Sequence, residues 1–286
     1  VKSANPSRLP LASEPALDAV RADIPRLVRS AADDIAGLPD RSDERIHDIR
    51  VAMKKFRALI RLASDAIPRR KFLRLDRLAR EVKDAFGAAR DRDVQLGLLG
   101  DLLGDHGAAA AILDSAAPAA DPPPDHSAAR AVCDRLAGLA DGLDLGRLKA
   151  KQVAAAWRDS YRCARRAMAA CAAANFDDPR SSFHDDLHFH EWRKKVKRLL
   201  YQSVVLGPPA DRMASDLARL SSELGAQHDL AVLCASLAES GHHAIHDAGA
   251  AASDEKNQAA SRALVLGSDL FALKPRAMVR RLRNSL

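Results

Sequence analysis

Apolar residues recur along this chain at intervals of three and four, and nowhere in the strict alternation that marks a half-buried strand. The spacing predicts ten helices, over 14–38, 42–66, 69–86, 90–113, 127–143, 146–174, 184–206, 210–224, 229–248 and 254–266. Pro68 suits the first turn of the third helix, where a missing N–H removes no bond. Pro208 and Pro209 end the seventh and open the eighth. Pro25 falls inside the first helix and is expected to kink or divide it. The stretch 114–126 has no periodic apolar face and is rich in Pro and Ala, so it reads as a linker between two helical halves. This predicts an all-α protein with a first helical bundle over 14–113, a second over 127–266 and a basic, solvated tail over 267–286.

The two halves resemble each other. Residues 46–59, IHDIRVAMKKFRAL, match residues 189–202, FHEWRKKVKRLLYQ, at an offset of 143. His47 falls on His190, Arg50 on Arg193, Lys54 on Lys197 and Lys55 on Arg198. Further on, FGAARDRDV (86–94) matches LGAQHDLAV (224–232) at an offset of 138. Two matches in one order at nearly one offset predict an internal duplication into two pseudo-symmetric bundles of about four helices.

Composition narrows the class. Of 286 residues, 47% are hydrophobic, enough for a sizeable core, and only 4% are aromatic. No apolar run reaches the roughly 18 residues of a membrane-spanning helix, and residues 1–15 contain nothing that reads as a signal peptide. The four cysteines are scattered without a CxxC pair, which speaks against a disulfide scaffold or a zinc ribbon. The expectation is a soluble protein of the cytoplasm with no membrane association.

Charge changes the picture more. Placed on a wheel at about 100° per residue, Arg50, Lys54, Arg57 and Arg61 fall within roughly 80° of His47, while Ile46, Ile49, Met53, Phe56 and Ile60 lie opposite. On the second repeated helix His190, Arg193, Lys194, Lys197 and Tyr201 share one face. An ordinary solvated face mixes signs, because i, i+4 Glu–Lys pairs stabilise it; these stripes contain no acid. Residues 41–80 hold thirteen Lys or Arg against five acids, a net +8 that exceeds the +7 of the whole chain. Neighbouring cations near a surface repel by about 0.5–2 kcal/mol per pair, so the arrangement destabilises the protein unless an anion fills it. Arg158, Arg162, Arg165 and Arg166 make the helix over 146–174 basic as well, and Arg162 and Arg166 are candidates for a further wall.

A row of Arg and Lys headed by histidine suits a repeating anion: Arg offers a planar fork for phosphate oxygens and Lys a compact charge. Histidine beside several phosphates becomes easier to protonate and donates from both nitrogens. Single-strand nucleic-acid binders add aromatic platforms, and duplex readers present Asn, Gln or Arg to base edges. The stripes have one aromatic, Tyr201, and no Asn or Gln, so a ligand with phosphates and no bases fits best. Histidines 242, 243 and 246 share a GHHAIH motif but have no Cys or carboxylate at ligand spacing close by except Asp247, and read as solvated or helix-end residues. No glycine-rich phosphate loop, HExxH motif or nucleophile–base pair occurs, so the expectation is a binding protein that is not an enzyme, with no metal and no cofactor.

The pattern H-x-x-R-x-x-x-[KR]-[KR], present at His47/Arg50/Lys54/Lys55 and again at His190/Arg193/Lys197/Arg198, resembles the conserved histidine α-helical domain (CHAD) family. Gly87, Arg90, Asp91, Asp93 and Val94 are similar to that family's G-x-x-R-D-x-D-V segment, with a weaker copy at Gly225, His228, Asp229 and Val232. The resemblance covers residues 14–248. It implies two four-helix bundles whose basic residues line a groove or pore that binds inorganic polyphosphate, and association with polyphosphate granules. The second copy departs from the first at Leu200, opposite Arg57, and at His228, opposite Arg90. The Arg90–Asp91 and His228–Asp229 pairs are expected to cap or orient a neighbouring helix. The site expected is therefore His47, Arg50, Lys54, Lys55, Arg57 and Arg61 with His190, Arg193, Lys194, Lys197, Arg198 and Tyr201, joined by Arg162 and Arg166. Nucleic acid would be only a non-specific competitor. A nucleic-acid-binding module, a phosphohydrolase and a helical scaffold docking an acidic protein are the alternatives.

Overall fold

A computed structural model describes residues 12–38, 42–116, 126–173, 182–240 and 246–284. Among them are eleven α-helices and two 3-10 turns, and no strand; the protein is all-α. The helices are α1 (Glu14–Ala36), α2 (Ser42–Leu62), α3 (Arg69–Asp84), α4 (Ala88–Leu103), α5 (His106–Ala116), α6 (His126–Asp141), α7 (Ala150–Ala172), α8 (Ser182–Leu206), α9 (Asp211–Ser240), α10 (His246–Leu270) and α11 (Pro275–Arg283). No described helix is long and apolar enough to cross a membrane.

Local chemistry explains most boundaries. Ser13 caps α1, its hydroxyl accepting from Ala16 N at 3.4 Å. Pro25 does not divide α1. A proline inside a helix costs about 3 kcal/mol, but Val20, Ile24, Leu27, Val28 and Ala31 are buried on either side of it and hold the helix together. The helix expected over 90–113 breaks in two. Gly104 adopts φ 66°, a conformation open to glycine, and Asp105 Oδ1 then caps α5 by accepting from Gly107 N (2.8 Å) and Ala108 N (3.0 Å). Conversely, the helix expected over 210–224 runs on without a break into the one expected from 229, because Gly225 stays helical inside α9, which ends at Ser240.

Packing groups the helices differently from chain order. α1, α2, α3 and α6 form one unit, and α7, α8, α9 and α10 the other. The helix after the Pro/Ala-rich stretch thus returns to pack on α1 and α3, so this stretch, whose residues 117–125 lie outside those described, does not separate the units. The chain passes between units at residues 142–149, where Arg21 Nε and Nη2 donate to Leu145 O and Leu148 O at 3.2 Å each. α4 and α5 leave the first unit and pack on α9 and α10 around Leu99, Ala109, Leu113, Leu230, Leu233 and Leu237. A larger core, with Phe56, Trp157, Tyr161, Phe189 and Trp192, runs through both units.

The segment read as a solvated tail is folded. α10 continues to Leu270, and α11 buries Met278, Val279 and Leu282. Tyr161 Oη donates to Leu273 O at 3.0 Å and Arg165 Nε to Phe271 O at 2.9 Å, tying the turn before α11 to α7. Three apolar positions spaced for one face were enough to bury a helix whose composition is dominated by arginine.

Candidate functional site: a cation-lined cavity

α2 and α8 pack directly against each other. Their apolar sides carry Ile49, Met53, Phe56 and Ile60 on one helix and Phe189, Trp192, Val196 and Leu199 on the other, all fully buried. Buried Gln202 of α8 donates from Nε2 to Ala58 O of α2 at 2.9 Å and fixes the register between the two helices. Trp157 Nε1 donates to Ser203 Oγ at 3.0 Å on the neighbouring turn. With these sides locked, the opposite faces line one cavity of about 440 Å³, completed by α3, α4 and α9.

Eleven of the fourteen residues expected from sequence line this cavity: His47, Arg50, Lys54, Arg57 and Arg61 from α2, and His190, Arg193, Lys194, Lys197, Arg198 and Tyr201 from α8. Three do not. Lys55 points to solvent. Arg162 is exposed and paired with Asp159 at 3.0 Å, and Arg166 is exposed as well. α7 turns Trp157, Tyr161 and Ala164 inward, so its cations ride the outer side. The matched pair Lys55 and Arg198 therefore differ: Arg198 is half-buried against Arg61 and Arg57, while Lys55 is not part of the site.

Sequence reasoning missed Lys83, Lys195, Gln95 and Asp76, and expected His228 and Asp229 to cap or orient a neighbouring helix; both line the cavity. Asp76, Arg80 and Lys83 recur at four and three along α3, a periodic signal that was available. Asp229 lies inside α9. Its Oδ1 sits 3.8 Å from Arg193 Nη2 and steadies that guanidinium. The side chains of Arg90, Asp91 and Asp93 lie outside the described residues, as do those of His242, His243 and His246.

Each of the two repeated arginines runs beside a repeated glycine. Arg50 Nη1 donates to Phe86 O at 2.7 Å, and a Cβ on Gly87 would stand 3.5 Å from it. A Cβ on Gly225 would stand 3.7 Å from Arg193 Nη2. Arg50 passes Gly87 at the turn before α4, and Arg193 passes Gly225 inside α9.

The cavity is strongly positive. Among the described residues, ten Lys or Arg line it against two carboxylates, Asp76 and Asp229. Asp76 accepts from Arg57 Nε at 2.8 Å and Arg80 Nη2 at 2.7 Å. Burial works to raise its carboxyl, but those hydrogen bonds prevail and hold it below the ordinary range. Glu191, beside the cavity, pairs with Lys194 at 2.7 Å and Lys195 at 3.5 Å, so the second stripe is partly countered. Lys83 pairs with Asp84. Cations still outnumber acids ten to four with Glu191 and Asp84 included. Burial, then the charges of Lys197, Arg50, Arg193 and Lys83, pulls Lys54 down to about 7. Burial also lowers Arg198, aided by Arg61, and raises the Tyr201 phenol, which stays protonated. Arg61 lies over the Phe72 ring at 5.3 Å.

His190 and His228 touch, Nδ1 to Nδ1 at 3.2 Å, with ring centroids 4.4 Å apart. Burial, then Lys194 and Arg193, lowers His190, with Glu191 opposing. Burial, then Arg193 and the His190 ring, lowers His228 to about 3. No cluster of three His, Cys, Asp or Glu placed to hold a metal occurs among the described residues.

No curated protein and no solved structure matches the chain. The CHAD domain family model matches residues 24–238, a span that takes in α2 through α9 and every wall of the cavity, and the chain belongs to that family.

Proposed function

We propose that the protein binds inorganic polyphosphate in the cavity between α2 and α8, as a binding protein and not as an enzyme. The observation that carries this reading is the convergence, among the described residues, of ten Lys and Arg from α2, α3 and α8 on one cavity, where burial and then the neighbouring cations pull Lys54 down to about 7. Such a site is destabilising when empty and is relieved by a dense, continuous anion. Each charge-assisted hydrogen bond to phosphate contributes about 1.5–3 kcal/mol before ordering costs. Nucleic acid fits less well, because among the described residues Tyr201 is the one non-histidine aromatic on the wall and offers no platform for successive bases. Membership of the CHAD family is consistent with a polyphosphate-related role. The cavity acids are engaged with Arg57, Arg80 and Arg193, which suits holding phosphate over activating water. Location at polyphosphate granules in the cytoplasm follows from this reading.

Calorimetric titration with long-chain polyphosphate tests it. The expected result is tight binding, weakened steeply by salt through counterion release, weaker in Lys54→Ala and Arg193→Ala, with chain length unchanged on incubation. RNA or duplex DNA competing on equal terms at physiological salt would favour a nucleic-acid module. Shortening of the chains would favour a phosphohydrolase. A fluorescent fusion that leaves granules when cellular polyphosphate is removed would support the location.

A further inference from the structure

The contact between His190 and His228 restricts what the empty site can hold. Two Nδ1 atoms 3.2 Å apart form a hydrogen bond only when one carries a proton and the other presents a lone pair. The accepting ring is then neutral, and both rings cannot be imidazolium while the contact lasts. The surroundings press the same way. Toward this pair face Arg193, Lys194 and Lys197 of α8, Lys83 of α3, and His47 and Lys54 of α2, against Glu191 of α8 and Asp229 of α9. α4 contributes the uncharged Gln95 among its described side chains.

We propose that the entering anion separates the His190–His228 pair and that the site takes up protons from solvent as it fills. The inference rests on the polyphosphate reading and specifies how that site responds to its ligand. Phosphate oxygens offer each Nδ1 an acceptor in place of the other ring, and their charge reverses the repulsion that keeps the rings neutral. A ring that has turned to the anion keeps its one N–H, gains a second by taking a proton from the buffer, and becomes imidazolium; no other bond forms or breaks. Lys54 adds to the uptake. Held down to about 7 in the empty cavity, it is about half protonated at pH 7, so full ionisation in the complex takes up roughly half a proton.

Calorimetric titration of the full chain with long-chain polyphosphate at pH 7, in two buffers of different ionisation enthalpy, counts these protons. Internal phosphates are already ionised at this pH, so the uptake is the protein's. Wild type is expected to take up more than the half proton of Lys54, and at most about two and a half per site. Lys54→Arg removes the titrating lysine, and uptake that persists in it belongs to the histidines. That remainder should fall at least twofold in Lys54→Arg combined with His228→Asn, with Lys54→Arg/His190→Asn as a second variant should the first not fold. Binding with no uptake in Lys54→Arg would overturn the inference and leave polyphosphate binding standing. Absence of binding by wild type would overturn both.

Discussion

Replacing Lys54 with methionine separates stability from binding at one position. Lys54 is held at about 7 in the folded protein, against 10.5 for the ordinary side chain. At pH 7 a shift of that size corresponds to about 4 kcal/mol of lost stability if none of it is screened. Lys54 is only partly buried and its cavity reaches solvent, so about 1–3 kcal/mol is the expected penalty. Methionine keeps the length and apolar stem and removes the charge. Urea denaturation at pH 7 and low salt should therefore show Lys54→Met more stable than wild type by about 1–3 kcal/mol. The sign with pH is fixed by linkage. Between about 7 and 10.5 the unfolded chain binds a proton that the folded chain does not, so wild-type stability rises with pH through that window. The variant's advantage should shrink to about half by pH 9 and vanish above the unfolded value. The same substitution removes one cation from the anion, and polyphosphate should bind roughly tenfold to a hundredfold more weakly. A variant no more stable than wild type at pH 7 would refute the claim that burial and neighbouring cations make the Lys54 charge costly in the empty cavity.

Other substitutions probe the rest of the architecture. Asp76→Asn leaves Arg57 and Arg80 without their shared carboxylate and should destabilise the unliganded protein by about 1–3 kcal/mol in thermal melts. In wild type that contribution is present above the ordinary carboxyl value of 3.8 and lost as pH falls through the lower folded value. Gly225→Ala should be tolerated, since its Cβ meets Arg193 Nη2 at an ordinary 3.7 Å, and should gain about 0.5–1 kcal/mol from helix propensity. Gly225→Leu should displace Arg193 and weaken polyphosphate binding in the same titration. Gly267→Val should destabilise by about 1–3 kcal/mol, because a Cβ there would stand 2.6 Å from Trp192 Cζ2 in the core.

The cavity was legible in the sequence because its cations recur at three, four and seven on two helices, and those helices bury the faces opposite. The same rule failed on α7, where an equally basic helix turns its arginines outward; periodicity gives a face, not what that face meets. It failed between Lys55 and Arg198, because matched positions on α2 and α8 are not rotated equally toward the cavity. The return of α6 to α1 and α3 was hidden for another reason. Pro and Ala mark a gap in local structure, whereas packing partners are chosen by complementary apolar faces distant in the chain. His228 illustrates the same limit: its place in a motif was visible, but contact with His190 depends on α8 and α9 lying side by side.

The central claim is that a chain of phosphates sits between α2 and α8, and a crystal structure grown with a short, defined polyphosphate tests it most directly. The account predicts consecutive phosphates within hydrogen-bonding distance of Lys54, Lys197 and Arg193, inside the cavity of about 440 Å³. Phosphates ordered only on the outer arginines of α7 and α11, with the cavity unchanged, would contradict it.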